Sequence, residues 1–377
     1  MSGFTAPESL PLVPFVDLSW QQAELAVEIQ QGLANVIARN EFVLGPEVAA
    51  FETEFAEFQE VKHCVGVANG TDALELMLRA GGLGPGMEVI VPANTFIATP
   101  LAVLRAGAHP VLTDVDPDTL LMTTQGAAAV LTPRTAAILP VHLYGQLAGV
   151  DELGDWAEQH GVAIFEDGAQ SHGARHNGNG MATVGTAAAT SFYPSKNLGA
   201  YGDAGAVLTN SAEFAARVRA LGNYGSQIKY EHPTIGFNSR LDTMQAVVLR
   251  AKLSRLAAWT LERRAAAERY TNLLRDFNAI TLPSTAPGND HVWHLYVIQI
   301  ADRDRVLGIL KSAGIGAAVH YPKPVHLHGA FRYLGHGRGS FPISEQASER
   351  VLSLPLFPGI SISQQERVAE ALTAALK

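Results

Sequence analysis

Short apolar runs that alternate with helix-like segments constrain the fold of this chain more than any other feature of its sequence. The alternation begins near residue 64 and continues to about residue 222. The runs are apolar on both faces, as in strands of a parallel sheet that helices cover on both sides. The pattern predicts an α/β fold with a large, mostly parallel sheet. Predicted strands are 64–68, 88–91, 110–114, 136–141, 162–166, 187–192 and 204–209; predicted helices between them are 72–80, 97–105, 125–131, 151–160 and 212–221.

The remainder of the chain predicts flanking helices and a second, smaller unit. Apolar residues recur at helical spacing over 21–39, 47–59 and 241–277, and prolines and glycine then interrupt the pattern at 283–289. Beyond the break we expect a strand at 292–300, a helix at 302–313, a strand at 317–321 and a final helix that Ser363 and Glu366 open with capping-box spacing. We therefore predict a large domain over 1–280 and a small α/β domain over 281–377.

Composition and charge exclude several classes of protein. Of 377 residues, 47% are apolar and 17% charged, which suits a folded enzyme and excludes a disordered chain. The net charge of −9, with no block of lysine and arginine, argues against a nucleic-acid partner. Cys64 is the single cysteine, so no intrachain disulfide can form. His172 and His176 have the i, i+4 spacing of two metal ligands on a helix, but 173–180 is a predicted loop, so we assign no metal site.

Targeting signals are not evident in the sequence. Residues 1–9 lack the basic start and apolar centre of a secretory signal. The apolar stretch 89–104 contains polar residues and prolines, and it is shorter than a bilayer-spanning helix. We predict a cytoplasmic protein without a membrane span.

Polar residues at the carboxyl ends of predicted strands form the candidate site. Ligands of open parallel sheets collect at this edge. After the strand that ends at residue 68 comes the sequence Asn-Gly-Thr-Asp, and then a helix. Free backbone amides at a helix start, beside a glycine and a hydroxyl, can hold a phosphate. Gly70 and Thr71 are therefore candidates for a phosphate site, although such a turn alone also serves as an ordinary helix cap.

An acid and a lysine that follow two further strands indicate a specific chemistry. Asp167 ends one strand, and Lys196 follows another in a turn flanked by aromatic residues and glycines. An amine that can form a Schiff base and an anion opposite a ring nitrogen are what pyridoxal phosphate requires. Gln170 could reach the phenolic oxygen of that cofactor, and Ser191 could reach the same small ligand as Lys196.

A series of motifs in a fixed order strengthens this interpretation. The chain carries GVANGT at 66–71, PANTF at 92–96, PVHLYG at 140–145, EDGAQ at 166–170, SFYPSKNLG at 191–199, GDAGA at 202–206 and GFNSRLD at 236–242. This series resembles the DegT/DnrJ/EryC1/StrS family of nucleotide-sugar aminotransferases over almost the whole chain. The resemblance implies an aspartate-aminotransferase-type fold (fold type I), in which a homodimer builds each active site from both subunits.

The resemblance also implies roles for individual residues. Lys196 would hold pyridoxal 5'-phosphate covalently, and Asp167 would pair with the ring nitrogen. An aromatic ring at Phe96 would stack on the cofactor, and Asn238 would reach the phosphate of the neighbouring subunit. The remaining cofactor contacts would be Gln170 on the phenolic oxygen and Gly70, Thr71 and Ser191 on the phosphate.

The substrates implied by the resemblance are L-glutamate and a nucleotide-linked keto-sugar. The stretches 192–203 and 320–326 are most similar to members that aminate C3, for example of a dTDP-3-oxo-6-deoxyhexose. Tyr193, His320 and Tyr321 are the candidates for contact with the sugar. Alternatives are amination at C4, a sugar dehydratase on the same fold, and a regulatory protein without turnover. Lys196 disfavours the dehydratase, because members with that chemistry carry histidine at this position.

Overall fold

A seven-stranded mixed sheet forms the centre of the molecule. The computed structural model describes residues 12–376, so the prediction about a signal at 1–9 lies outside the described residues. The strand order is β1-β8-β7-β5-β4-β2-β3, and only β8 runs antiparallel to its neighbours. The strands are β1 (His63–Val67), β2 (Glu88–Pro92), β3 (His109–Thr113), β4 (Thr135–Ile138), β5 (Ala163–Asp167), β7 (Ala187–Ser191) and β8 (Gly205–Thr209).

Helices cover the sheet and extend the chain beyond it. Those connected to the central sheet are α1 (Ser19–Arg39), α2 (Pro46–Phe58), α3 (Gly70–Ala80), α4 (Ala98–Ala106), α5 (Thr124–Ala129), α6 (Val150–His160) and α7 (Ala212–Gly222). A helix of 32 residues, α8 (Thr243–Leu274), then packs against α1 and α2 and continues toward the second unit. The helices that follow are α9 (Arg303–Ser312), α10 (Pro342–Arg350) and α11 (Ile362–Ala375).

The apolar runs form strands because both of their faces are buried. Every residue of β2 and of β8 is buried, and β7 is buried up to its last residue. Apolar side chains of α3 and α4 pack on one side of the sheet, where Phe165 and Val207 belong to the same core. Burial on two faces removes the alternation that a one-sided sheet would show, which is why the runs are continuous in sequence.

A three-stranded antiparallel sheet organises the C-terminal part of the chain. Its order is β12-β11-β9, with β9 (Ile280–Thr281), β11 (Tyr296–Ile300) and β12 (Val351–Leu354). Its core includes Tyr270 and Leu274 from the end of α8. A two-stranded ribbon of β6 (Arg175–His176) and β10 (Asn289–Asp290) connects this part to the loop after β5. The domain boundary at 280/281 stays a prediction.

Two predictions for the C-terminal part were wrong. Residues 317–321 do not form a strand; a single bridge joins Ala318 to Ser353. The capping box of α11 lies two residues before the predicted one: the hydroxyl of Ser361 accepts a hydrogen bond from the Gln364 amide, and the Gln364 side chain accepts one from the Ser361 amide. Within residues 12–376 no helix is both long enough and apolar enough to cross a membrane.

Candidate active site

A cavity of about 540 Å³ opens at the carboxyl ends of β5 and β7, beside the start of α3. Its position agrees with the rule for ligand sites in parallel sheets. The structure brings all the predicted site residues except Asn238 to its wall: Gly70, Thr71, Phe96, Asp167, Gln170, Ser191, Tyr193, Lys196, His320 and Tyr321. Residues that were predicted separately, from the ends of different strands, thus line the same cavity.

The start of α3 has the properties of an anion site. The Asn69 side chain accepts a hydrogen bond from the Asp72 amide at 2.8 Å and caps the helix. Gly70 leaves no room for a side chain, because a Cβ placed there would lie 2.5 Å from the Cβ of Ser191. The helix dipole and the unbonded first amides favour a negatively charged group at this point. The glycine brings the helix start and the Ser191 hydroxyl to one small volume.

Lys196 lies in a tight turn after β7. Its backbone amide donates to the Tyr193 carbonyl at 2.8 Å, and Gly199 packs so closely that a Cβ would lie 2.3 Å from the Pro194 carbonyl oxygen. Burial lowers the pKa of the Lys196 amine to about 8, although the charge of Asp167 opposes the shift. A substantial fraction of the amine is therefore neutral near physiological pH, as a nucleophile or base must be.

Asp167 is the last residue of β5 and is buried at the bottom of the cavity. One carboxylate oxygen accepts a hydrogen bond from the Thr99 hydroxyl at 2.7 Å, and the other accepts one from the Ala169 amide at 3.1 Å. The pKa of this carboxyl is raised, mainly by burial, although these two hydrogen bonds and the charge of Lys196 oppose the shift. The two hydrogen bonds fix the orientation of the carboxyl, and a cationic ring that faced it would favour its ionised form.

Gln170 connects two walls of the cavity. Its carbonyl oxygen accepts from the Tyr144 amide at 2.6 Å, and its amide donates to the Tyr321 hydroxyl at 3.1 Å. The Tyr321 ring lies 5.3 Å from the ring of Phe96, which is half exposed. An amide fixed in this way has one defined orientation toward the cavity.

These groups fit pyridoxal phosphate. The cavity offers an amine of lowered pKa, a buried carboxylate that interacts electrostatically with it, and a helix start with a cradle that a Cβ would fill. An amine, an anion and a phosphate seat are the three features by which proteins hold and tune this cofactor. Lys196 would carry its aldehyde carbon, Asp167 would face its ring nitrogen, and α3 would hold its phosphate.

Comparison with known proteins decides the family. The model of the DegT/DnrJ/EryC1/StrS aminotransferase family matches residues 23–373. The chain belongs to this family. It is a pyridoxal-phosphate-dependent aminotransferase. The resemblance seen in the motifs is confirmed over nearly the whole length of the chain.

Two curated relatives and one solved structure give the degree of similarity. The erythromycin biosynthesis sensory transduction protein EryC1 of Saccharopolyspora erythraea is 48% identical, covering 96% of this chain and 99% of that protein. The dTDP-3-amino-3,4,6-trideoxy-alpha-D-glucose transaminase of Streptomyces venezuelae is 46% identical over 96% of both chains. The crystal structure of DesV from S. venezuelae, in complex with a ketimine intermediate, is 46% identical, covers 98% and 100% of the two chains, and has a TM-score of 0.95. The predicted aspartate-aminotransferase-type fold is confirmed.

The sugar candidates of this aminotransferase lie at the rim and on one wall of the cavity. The Tyr193 ring is exposed at the rim. His320 is held by a 2.8 Å hydrogen bond between its Nδ1 and the Ser353 hydroxyl, and the Tyr144 hydroxyl donates to its backbone carbonyl. Burial lowers the pKa of His320 to about 4, so its ring is neutral at pH 7 and does not repel the Lys196 ammonium.

Asn238 is the predicted site residue that does not line the cavity. It is exposed, and its side-chain oxygen accepts a hydrogen bond from Arg240 at 2.6 Å. The resemblance to the family implies that this residue contacts the cofactor phosphate in the neighbouring subunit. That role stays a prediction.

Sequence reasoning missed several residues that shape the site of this aminotransferase. Thr99 donates to Asp167 across 68 positions of sequence. The amide of Leu198 donates to Nδ1 of His172, whose Nε2 therefore donates to the Thr190 hydroxyl 2.8 Å away. Burial lowers the pKa of His172 to about 3. The neutral imidazole thus ties the lysine turn to β7, a role that its spacing from His176 did not indicate.

His294 is a further residue that sequence reasoning missed. It lines the cavity, and its Nδ1 donates to the side-chain oxygen of Asn197 at 3.0 Å, since the Asn197 amide donates to the Val292 carbonyl. Burial holds the pKa of His294 well below its ordinary value. His294 lies in none of the motifs, and its hydrogen-bond partner Asn197 is 97 positions away, so the sequence alone did not indicate its role.

Proposed function

We propose that this aminotransferase moves an amino group from L-glutamate to C3 of a nucleotide-linked keto-sugar, such as a dTDP-3-oxo-6-deoxyhexose. The observation that carries the proposal is the cavity in which Lys196 and Asp167 meet the anion site at the start of α3. The sugar specificity is supported by the 46% identity to a relative named as a dTDP-3-amino-sugar transaminase. Product of this kind would enter deoxyamino-sugar or surface-polysaccharide biosynthesis.

Lys196 carries out proton transfer in both halves of the reaction. Pyridoxal phosphate, when bound, supplies an electron sink for the electrons that remain when a C–H bond next to nitrogen breaks. The neutral Lys196 amine takes the proton from the glutamate carbon that bears the nitrogen. Lys196 would pass that proton to the cofactor, and in the second half it would take a proton back from the cofactor and deliver it to the sugar carbon. A pKa of about 8 lets the same nitrogen serve in both directions near neutral pH.

Asp167 and the α3 start orient the reaction without moving protons. The Asp167 carboxylate, held by Thr99 and Ala169, presents a fixed negative charge to a protonated ring nitrogen. The helix start would hold the phosphate through backbone amides, the Thr71 hydroxyl and Ser191. These contacts would orient the bound cofactor and substrate toward Lys196.

We further propose that the sugar lies between Tyr193 at the rim and His320 and Tyr321 on the wall. The Tyr321 hydroxyl already accepts a hydrogen bond from Gln170, and its own proton remains available for a sugar oxygen. Burial raises the pKa of Tyr321, so this hydroxyl stays protonated as a donor. The neutral His320 ring adds an uncharged polar surface.

The assembly and location are also proposals. We propose a homodimer with shared sites, supported by the exposed position of Asn238, which leaves its side chain outside its own subunit's cavity. A cytoplasmic location stays a prediction from the sequence.

Amino transfer from [15N]glutamate tests the reaction. The purified enzyme, loaded with pyridoxal phosphate, is incubated with nucleotide sugars oxidised at C3 or at C4, and the product is located by mass and NMR. Label on C3 is the expected result, and the Lys196→Ala variant is the matched control that should give none. Label on C4 would favour the C4 alternative, and loss of a hydroxyl without label would favour a dehydratase. No transfer from glutamate with any sugar would favour a regulatory protein.

A further inference from the structure

Two buried threonines form a hydroxyl chain behind Asp167. The Thr99 hydroxyl donates to Oδ2 of Asp167 at 2.7 Å, and the oxygens of Thr95 and Thr99 are 2.8 Å apart. Both side chains are buried, with exposed fractions of 3% for Thr95 and 0% for Thr99. Thr99 is the second residue of α4, and Thr95 lies in the loop before that helix. The chain therefore joins α4 to the end of β5.

The direction of this chain follows from the number of protons. Each hydroxyl has one proton to donate. When Asp167 is ionised, Thr99 donates to Asp167 and Thr95 donates to Thr99, so every proton has an acceptor. When Asp167 is protonated on Oδ2, the chain reverses, and Thr99 is left without a hydrogen bond from Thr95. Both hydroxyl protons have an acceptor within the chain only when the carboxylate is ionised, so the arrangement favours that form.

Other groups around Asp167 act on the same equilibrium. Burial favours the neutral acid, and the charge of Lys196 and the proximity of His142 favour the anion. The Ala169 amide contributes the second hydrogen bond to the carboxylate. Among the effects that favour the anion, the Thr99 hydrogen bond is the largest. The side chain at position 99 thus opposes the effect of burial on the charge that faces the cofactor ring.

We propose that Thr99, supported by Thr95, is a positioning residue that keeps Asp167 ionised and thereby keeps the ring nitrogen of the bound cofactor protonated. The inference deepens the proposed function and rests on it for the role of Asp167. Neither threonine is assigned a step of its own, since both act through the carboxylate.

Thr99→Val tests the proposal with pyridoxal phosphate labelled with 15N in the ring. Valine has the shape of threonine without the hydroxyl. In the wild-type holoenzyme, without substrate, the 15N shift should be that of a protonated ring nitrogen; in the variant it should move toward the unprotonated value. Because a hydrogen bond to a charged group is lost, kcat should fall by about tenfold to a hundredfold. Thr99→Ser should restore both the shift and the rate.

Two further variants separate this role from a structural one. Thr95→Val removes only the outer hydroxyl and should move the 15N shift in the same direction by a smaller amount. Thr209→Val is the matched control, because Thr209 is fully buried in β8 and its hydroxyl donates to the Thr186 carbonyl at 2.8 Å, away from the cavity. It should lower the melting temperature and leave the 15N shift unchanged.

A double-mutant comparison completes the test. Because the threonines act through Asp167, Thr99→Val should add little to the loss that Asp167→Asn causes alone. Independent, multiplicative losses, or an unchanged 15N shift in both Thr99→Val and Thr95→Val, would overturn the proposal. The proposed function would stand in that case if the wild type still transfers nitrogen from glutamate to C3. Absence of that transfer would contradict the proposed function, while the substrate-free 15N shift would still report on Thr99.

Discussion

At the scale of single residues, Lys196 shows how burial creates a reactive amine. Desolvation lowers its pKa to about 8 and the charge of Asp167 limits the effect. Protonated amine is unreactive toward an aldehyde, so attachment of pyridoxal phosphate to the apo-enzyme should accelerate as pH rises and level off above about 8, well below the ordinary lysine value. Stopped-flow absorbance measures the rate of attachment from about pH 6 to about pH 10, a range that spans the lowered pKa and approaches the ordinary lysine value. The midpoint of the rate against pH gives the pKa of the amine.

A second lysine provides the control for that experiment. Burial also lowers the pKa of Lys252 to about 8, but its ammonium donates to the Gly199 carbonyl at 2.8 Å and it does not line the cavity. Borohydride reduction and peptide mapping should therefore find the label on Lys196 alone. Lys196→Ala should lose the label and turnover while it keeps the fold. A label on Lys252 would contradict the assignment and show that lowered pKa alone selects the amine.

Asp167→Asn removes the charge while it keeps the shape of the side chain. A neutral amide no longer favours a protonated ring nitrogen, so kcat should fall on the order of 10²–10³-fold, as for other fixed electrostatic contacts. Cofactor should still bind, because Lys196 and the α3 start are untouched. Steady-state kinetics and a cofactor titration measure the two effects separately. Turnover near the wild-type level would remove the electrostatic role from Asp167.

The residues that sequence reasoning found are those whose chemistry is local in sequence. Lys196 and Asp167 lie in short motifs that follow strands. The carboxyl ends of parallel strands lie at one edge of the sheet, whatever the conformation of the loops. Thr99 and His294 could not be found in this way, because each acts through a partner 68 or 97 positions distant. Their roles depend on side-chain contacts between different elements, which a single sequence does not display.

At the scale of elements, α3 carries the predicted anion site. The helix begins at Gly70, two residues before its predicted start, because Asn69 and not a later residue caps it. The two residues that the predicted helix left out, Gly70 and Thr71, are those nearest the site. Helix starts are the least predictable part of an element, since a cap depends on one side-chain hydrogen bond.

Gly70→Ala tests the close approach of α3 and β7. The added Cβ would lie 2.5 Å from the Cβ of Ser191, so the helix start and Ser191 must separate. Overpacking of this kind should weaken binding of pyridoxal phosphate by about tenfold to a hundredfold. Fluorescence titration of the apo-enzyme measures the dissociation constant.

Gly308→Ala is the matched control for that substitution. Gly308 lies in α9, and a Cβ there would meet nothing within 4 Å. This variant should bind the cofactor like the wild type and should be equal or higher in stability, since alanine favours helix over glycine. Equal affinity in Gly70→Ala and Gly308→Ala would show that the approach of α3 to Ser191 is not required for binding.

The strands of the central sheet were predictable and the segment 317–321 was not. Runs such as β2 and β8 are apolar throughout because two layers of helices cover them. The segment 317–321 also begins with apolar residues, but its end turns to the cavity, where His320 and Tyr321 contact other parts of the site. A functional requirement there takes precedence over pairing.

At the scale of the whole molecule, the proposed dimer determines whether each site is complete. Asn238 is exposed on its own subunit, whereas Lys196 lies in the cavity. If Asn238 reaches the phosphate in the neighbouring subunit, Lys196→Ala and Asn238→Glu damage different contributors to one site. Glutamate at position 238 would place a negative charge near the phosphate and should abolish tight cofactor binding.

Mixing the two inactive variants, after dissociation and reassociation, therefore should restore activity. In a heterodimer one site combines both damaged residues and the other combines two intact ones. With random reassortment of equal amounts, roughly a quarter of all sites should be intact, which sets the expected specific activity relative to wild type. A mixture of Lys196→Ala with Asp167→Asn is the control: both residues lie in one cavity of the same subunit, so no reassortment yields an intact site. Recovery in the control, or none in the test mixture despite heterodimers detected by native mass spectrometry, would contradict a site shared in this way.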